Sequence, residues 1–262
     1  MDNPTADVVI TVLNEGRNIR KLLESLVSQK CSCGIIVVDA GSTDGTTEIL
    51  KEFESRGIKY VSRKCTRGEG RNIGVSLSSA EFILFTDGDA VPDDKCACGM
   101  INALNDHDIA WGRTETIGDG KFSEMKRVPL YYKGFEATYP SMNMGIRRSV
   151  FNERGGFDVK LITAEDIDLN IRVLGAGAKG SYCPDCIVMH NTRENLKSFA
   201  RQAFWNGYGR AQLKRKHKEI WNEFRKDYIK PEEISLAWIA RFFTAILGYI
   251  SFIIFPVRHH PD

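Results

Sequence analysis

The N-terminus lacks a basic stretch followed by an apolar core, so no secretory signal is visible and the N-terminal part of the chain is expected to stay in the cytoplasm. A large excess of one charge is also absent: 36 Lys and Arg stand against 34 Asp and Glu, which excludes a generally basic nucleic-acid coat. No internal repeat or low-complexity stretch interrupts the 262 residues, of which 42% are apolar and 27% charged. That composition predicts one well-buried domain with at most a small appendage. The seven cysteines, at 31, 33, 65, 96, 98, 183 and 186, are odd in number and lack a pair of CxxC knuckles. They read as small buried thiols in a reducing compartment, and neither a structural zinc site nor a disulfide framework is expected.

The charge that is present is unevenly spread. Residues 193–230 hold eleven Lys and Arg against four Asp and Glu, and the apolar run from Ile234 to Val257, broken by Arg241, follows directly. A basic block beside an apolar run more naturally meets anionic lipid than nucleic acid, so a membrane partner is expected and a nucleic-acid partner is not. The uncharged stretch Phe242 to Val257 is shorter than the roughly 20 residues that cross a bilayer, which leaves an oblique span or a helix lying in one leaflet. The expected division is a folded domain over 1–192, a basic amphipathic helical segment over 193–230 and a membrane-anchoring segment over 231–262. Arg201, Gln202, Trp205, Gly207 and Tyr208 form a local signature within the basic segment, open to an interfacial role, to sugar stacking or to plain helix packing.

Within the first domain, apolar strands alternate with helical spacing. Val8 to Leu13 reads as a buried strand, and Ile19, Leu22, Leu23 and Leu26 then recur at helical intervals. The pattern repeats through Ile35 to Val38, Ile49 to Phe53, Tyr60 and Val61, Ile73 and Leu77, and the strand Phe82 to Phe85 that ends at Asp87. Such alternation predicts an α/β fold with a mostly parallel, Rossmann-like sheet flanked by helices. Beyond it, 106–160 is irregular, with Trp111 to Thr116 strand-like and Tyr139 to Ile146 leading into a turn; a helix is expected from near Glu165 to before Gly175, and a strand near Lys179 to Cys183. Ligands of parallel sheets bind beyond the carboxyl ends of the strands, and Asn14 and Glu15, Asp39, and Asp87 with Asp89 cluster there. Two carboxylates at such a mouth suit a hard divalent ion that in turn binds phosphate oxygens.

Five segments occur in order: VVITVLNEGRNI at 8–19, VVDAGSTDGT at 37–46, RNIG at 71–74, FTDGDA at 85–90 and EDIDLNIR at 165–172. Together they resemble the family 2 glycosyltransferases with the GT-A fold across roughly residues 6–210. The resemblance implies that Thr11, Asn14 and Glu15 line the base and ribose pocket, that Asp39 accepts hydrogen bonds from the nucleobase, and that Arg71 faces the diphosphate. It further implies that Asp87 approaches the ribose or the metal, that Asp89 is the principal ligand of Mg²⁺ or Mn²⁺, and that His190 is a third ligand. Asp166 is the implied base, with Glu165 and Asp168 as rivals on the same turn.

The expected activity is inverting transfer of a sugar from a UDP or GDP sugar to a hydroxyl or phosphate, with a lipid-linked acceptor at the cytoplasmic membrane face. Two departures stand out: Thr11, Val12 and Leu13 occupy positions where many relatives carry a proline-led turn, and the QxxRW sequence of processive polymerases is absent. The competing readings are a nucleotidyltransferase, which calls for a Gly-rich basic loop where Asn14, Glu15, Gly16 and Arg17 stand, and an inert membrane scaffold, for which intact Asp39, Asp89 and Asp166 have no use.

Overall fold

The computed structural model describes residues 5–117, 129–191, 196–218 and 236–256. The chain opens with β1 (Ala6–Val12), α1 (Ile19–Val27), β2 (Gly34–Asp39), α2 (Thr46–Glu54), β3 (Lys59–Ser62), α3 (Arg67–Ser76) and β4 (Phe82–Asp87). Then come β5 (Ala90–Pro92), α4 (Cys96–Asp106), β6 (Ile109–Ile117), the two-residue strands β7 (Tyr131–Tyr132) and β8 (Phe135–Glu136), and a 3-10 turn at Ser141–Asn143. The last elements are β9 (Met144–Arg147), α5 (Arg148–Glu153), α6 (Glu165–Gly175), β10 (Gly180–Asn191), α7 (Leu196–Lys216) and α8 (Leu236–Ile254).

Eight strands form one sheet in the order β3-β2-β1-β4-β9-β6-β10-β5. All run parallel except β9, which is antiparallel to β4 and β6, and β5, which turns back against β10. The mostly parallel α/β sheet expected from the alternation is therefore present. Its central strand β1 is buried on both faces, so Val8, Val9 and Ile10 all lie inside, which is why it reads as a continuous apolar run. Ile19, Leu22, Leu23 and Leu26 of α1 are likewise buried on one stripe, each contributing on the order of 2 kcal/mol. α3 lies directly on β1, because a side chain at Gly74 would place its Cβ 2.4 Å from Val9 Cγ1.

Three findings correct the sequence reading. Cys31 and Cys98 form a disulfide that ties the exit of α1 to α4, so these two are not free thiols as expected; Cys96 and Cys186 are buried thiols as expected. Within 106–160, the strand expected at Trp111 to Thr116 is present as β6, but the rest, expected to be irregular, also contributes β9 and α5 to the core. Among the described residues, no helix is long and apolar enough to cross a membrane, so the oblique span left open for Ile234 to Val257 is not found. The described part of that run instead forms α8, packed along α7. Residues 219–235 and 257–262 of the expected basic and anchoring segments lie outside the described residues.

Candidate active site

Strand register brings the chemistry-bearing residues to one level. Across β1, Val12 stands opposite Asp39 of β2 and Thr11 opposite Asp87 of β4, so three neighbouring strands end side by side. The turn after β1 is laced to the loop after β2. Asn14 N–H donates to Ser42 Oγ at 2.8 Å, its Oδ1 accepts from Thr43 N–H at 2.9 Å, and Glu15 N–H donates to Thr46 Oγ1 at 2.9 Å. Asn14 takes φ 57°, a left-handed conformation that asparagine tolerates better than most residues. Thr11 Oγ1 is buried without a hydrogen-bond partner.

Asp39 is fully buried, and its two oxygens accept from Ser42 and Gly41 N–H and from the hydroxyls of Thr47 and Ser62. Burial alone would push its pKa up, but the bonds from Ser42, Thr47 and Ser62 outweigh this and hold it below the usual carboxylate range. In this arrangement Asp39 shapes the loop over 40–47, and a contact to a nucleobase requires exchanging one of these bonds.

Arg71 is also placed differently from the expectation that it faces a diphosphate. Its side chain is 2% exposed, with Nη2 on Asp87 Oδ1 at 2.6 Å and Nη1 on Glu165 Oε1 at 2.8 Å. The guanidinium bolts the Asp-Gly-Asp turn to the start of α6. Burial disfavours ionised Asp87, yet Arg71 and then Arg67 outweigh it and lower its pKa. Arg67, in the first turn of α3, is the cation that sequence reasoning passed over. Desolvation works against its charge, and Glu165, Asp87, Asp166 and Asp89 together outweigh that and raise its pKa. The signal was a second arginine in TRGEGRNIG, four positions before the one that the motif drew attention to.

β5 folds back on β10 with Ala90 opposite His190, which sets His190 Nε2 3.1 Å from Asp89 Oδ2. The expected trio of Asp87, Asp89 and His190 does not assemble as a cluster: among the described residues no group of three or more His, Cys, Asp or Glu stands ready to hold a metal. Asp87 is turned onto Arg71, while Asp89 and His190 remain as an adjoining oxygen and nitrogen donor. That pair fits a hard divalent ion such as Mg²⁺ or Mn²⁺, which takes one or two protein carboxylates and completes its shell with water and substrate phosphates.

On the other side of the site, α6 starts after Ala164, whose φ of 62° is a left-handed strain for a residue with a Cβ. Its first turn carries three acids with three distinct environments. Glu165 is consumed by Arg71. Asp168 is fully buried, with Lys216 Nζ and His217 Nε2 each 2.7 Å from Oδ1 and Arg172 Nε 2.8 Å from Oδ2. Burial opposes its ionisation, but His217, Lys216 and Arg172 prevail and push its pKa down to about 2. Asp166 alone of the three keeps partial exposure, held by Ser141 N–H on Oδ2 at 3.3 Å and Ile167 N–H on Oδ1 at 2.8 Å. Desolvation first and the neighbouring charge of Glu165 second raise its pKa. A partly open carboxylate with raised basicity suits proton abstraction; its two neighbours, engaged in ion pairs, do not.

The chain resembles known proteins. Residues 7–156 match the model of glycosyl transferase family 2. Glycosyltransferase AglE of Haloferax volcanii is 28% identical over 228 residues, covering 80% of this chain and 74% of that protein. A dolichyl N-acetyl-alpha-D-glucosaminyl phosphate 3-beta-D-2,3-diacetamido-2,3-dideoxy-beta-D-glucuronosyltransferase of Methanococcus voltae is 24% identical over 236 residues, 80% of this chain and 74% of that one. Other relatives are longer, and the chain spans 46% and 53% of two of them. The mannosyltransferase PcManGT of Pyrobaculum calidifontis, solved with GDP-Man and Mn²⁺, superposes with a TM-score of 0.65 at 14% identity over 97% of this chain and 76% of that one, a likeness of fold. The family match over more than half of the chain, on the strands that carry Asp39, Asp87 and Asp89, places it plainly: the chain belongs to glycosyl transferase family 2.

Proposed function

We propose that this chain is an inverting glycosyltransferase that moves a sugar from a UDP or GDP sugar to a hydroxyl or phosphate of a lipid-linked acceptor at the cytoplasmic face of a membrane. The observation that carries the reading is the division of the acids at the strand ends. Asp89 pairs with His190 on the donor side, while Asp166 stands partly open on the acceptor side with its rivals Glu165 and Asp168 engaged in ion pairs.

As the acceptor oxygen bonds to the anomeric carbon, the nucleoside diphosphate leaves, and its growing negative charge has to be neutralised. Asp89 and His190 would hold a divalent ion, and that ion, when bound, supplies the positive charge for the diphosphate. Asp87, kept ionised by Arg71 and Arg67, adds negative charge to the same mouth and fixes the turn that carries Asp89. Arg67 adds a cation beside these acids. Asp166 takes the proton from the acceptor hydroxyl, and with no protein nucleophile required the displacement is single and inverts the anomeric carbon. The loop over 40–47, ordered by Asp39 and joined to Asn14, forms the side of the mouth where the resemblance puts the base and ribose.

Support for the donor class comes from the GDP-Man and Mn²⁺ complex of PcManGT, and support for a lipid-linked acceptor from the dolichyl N-acetyl-alpha-D-glucosaminyl phosphate in the name of the Methanococcus voltae relative. The test is turnover of a panel of UDP and GDP sugars with a membrane lipid extract and Mn²⁺, followed by assignment of the anomeric configuration of the product. Inverted product supports the reading; no turnover with any donor, or retained configuration, rejects it.

A further inference from the structure

The outer face of α8 is apolar and uncovered. Phe243, Leu247, Ile250 and Ile254 are 62%, 62%, 45% and 59% exposed, and their spacing of four, three and four residues sets them on one stripe. The inner face packs against α7. A Cβ on Gly248 would stand 1.9 Å from Phe204 O and one on Gly207 1.8 Å from Ala245 O, so the two helices touch backbone to backbone. The rings of Tyr208 and Phe252 close the same seam at 5.1 Å. An exposed apolar stripe of this length on a rigid helix pair marks an interaction surface.

Charge identifies the partner. Residues 196–218 and 236–254 hold eight Lys and Arg and no Asp or Glu. Lys214, Arg215 and Lys218 stand with Tyr249, Phe252 and Pro256 around a cleft of about 440 Å³ between the helices, and Lys214 Nζ lies 5.9 Å from the centre of the Tyr249 ring. Basic and aromatic groups at the rim of an apolar stripe match the layers of a bilayer leaflet, with acyl chains on the stripe and phosphates at the rim. A second copy of this chain would set like charges against each other.

We propose that α7 and α8 form a one-leaflet docking face for an anionic phospholipid bilayer. α8 lies in the plane of the leaflet without crossing it, and Lys214, Arg215 and Lys218 meet the headgroup phosphates. The inference deepens the membrane part of the reading above and rests on that part alone. It also fixes where the bilayer stands relative to the site. Lys216 and His217, at the end of α7, are bonded to Asp168 of α6, two residues from Asp166, so the docking face is held to the acceptor-side helix.

The test is flotation of the full chain with vesicles of phosphatidylcholine alone and of phosphatidylcholine with phosphatidylglycerol. The wild type is expected to float with both, and about tenfold or more tightly with the anionic vesicles at low salt. Phe243→Ser with Leu247→Ser lowers partition to both vesicles about tenfold or more. Lys214→Glu with Arg215→Glu removes the preference for phosphatidylglycerol. Thermal unfolding and Mn²⁺-dependent UDP or GDP binding serve as controls and should match wild type in both variants. The proposal is overturned if wild type floats with neither vesicle, if both variants bind as wild type does, or if the stripe instead drives a concentration-dependent dimer that Phe243→Ser with Leu247→Ser abolishes. Vesicle binding that persists in a chain with no turnover of any nucleotide sugar would reject the proposed function and leave this inference standing.

Discussion

Arg71 and Glu165 lie 94 positions apart in the sequence and meet at 2.8 Å inside the protein, while the other arm of the same guanidinium holds Asp87 at 2.6 Å. One buried cation thus joins the Asp-Gly-Asp turn to the helix that carries Asp166. Removing it leaves two carboxylates without their counter-charge in a site where Glu165 is 5% exposed. Arg71→Ala is therefore expected to destabilise the fold by about 3–5 kcal/mol, read from denaturant unfolding. Arg71→Ala combined with Glu165→Gln should recover part of that loss without recovering turnover. Equal stability of Arg71→Ala and wild type would mean that the ion pairs contribute nothing.

Asp166→Asn is expected to lower kcat by about 10²–10⁴ with little change in KM for the donor. Because the pKa of Asp166 is raised, the wild-type rate should fall on the acid side at a higher pH than an ordinary carboxylate would give, as the base becomes protonated. The stability effect has the opposite sense. A raised carboxyl contributes stability below its unfolded pKa, and that contribution is lost as pH rises through the folded value, so Asp166→Asn should be more stable than wild type at neutral pH. A variant both active and no more stable would remove Asp166 from the role of base.

Asp168 behaves in the reverse direction. Its pKa of about 2 is depressed, so the stability it provides is present above the unfolded value near 4 and is lost as pH falls towards 2. The amount is about 2 kcal/mol. Thermal unfolding of wild type between pH 5 and pH 2 should show this loss, and Asp168→Asn should lose about 2 kcal/mol less across the same window, the remaining loss coming from Asp39 and Asp87. Hydrogen exchange in that variant is expected to rise along the C-terminal half of α7, where Lys216 and His217 lose their partner.

The Cys31–Cys98 disulfide closes a loop of 67 residues, for which chain entropy alone gives about 4 kcal/mol and strain or residual structure gives less. Reduction, or Cys31→Ser, should lower stability by about 2–4 kcal/mol. Peptide mapping without reductant should find these two cysteines linked and Cys33, Cys65, Cys96, Cys183 and Cys186 open to alkylation after unfolding.

The strands β1, β2 and β4 were legible because a parallel strand buried on both faces spells an unbroken apolar run, as in Val8, Val9 and Ile10. The acids at their ends were legible for the same reason, since each ends such a run. Pro184 and Asp185 hide the continuation of β10 beyond Cys183; the strand passes them through a register shift between Cys183 and Ile187 and continues to Asn191. α4 is hard to read from sequence because only Ala97, Met100 and Leu104 mark its apolar face beside the buried Cys96. The site's ion pairs were not legible at all. Nothing near Arg71 indicates that its partner is Glu165, and nothing near Asp168 indicates that Lys216 and His217 will reach it, because both links are made by the packing of distant helices. Those links decide which acid is free to act.

The most direct test of the proposed transfer is release of nucleoside diphosphate by purified wild type and by Asp89→Ala, assayed side by side on the same UDP and GDP sugars over a Mn²⁺ titration. Wild-type release should depend on Mn²⁺ and fall about 10²–10³-fold in Asp89→Ala, with thermal unfolding of the variant close to wild type. Undiminished release by Asp89→Ala, or a wild-type rate indifferent to removal of divalent ions, would contradict the metal-assisted mechanism.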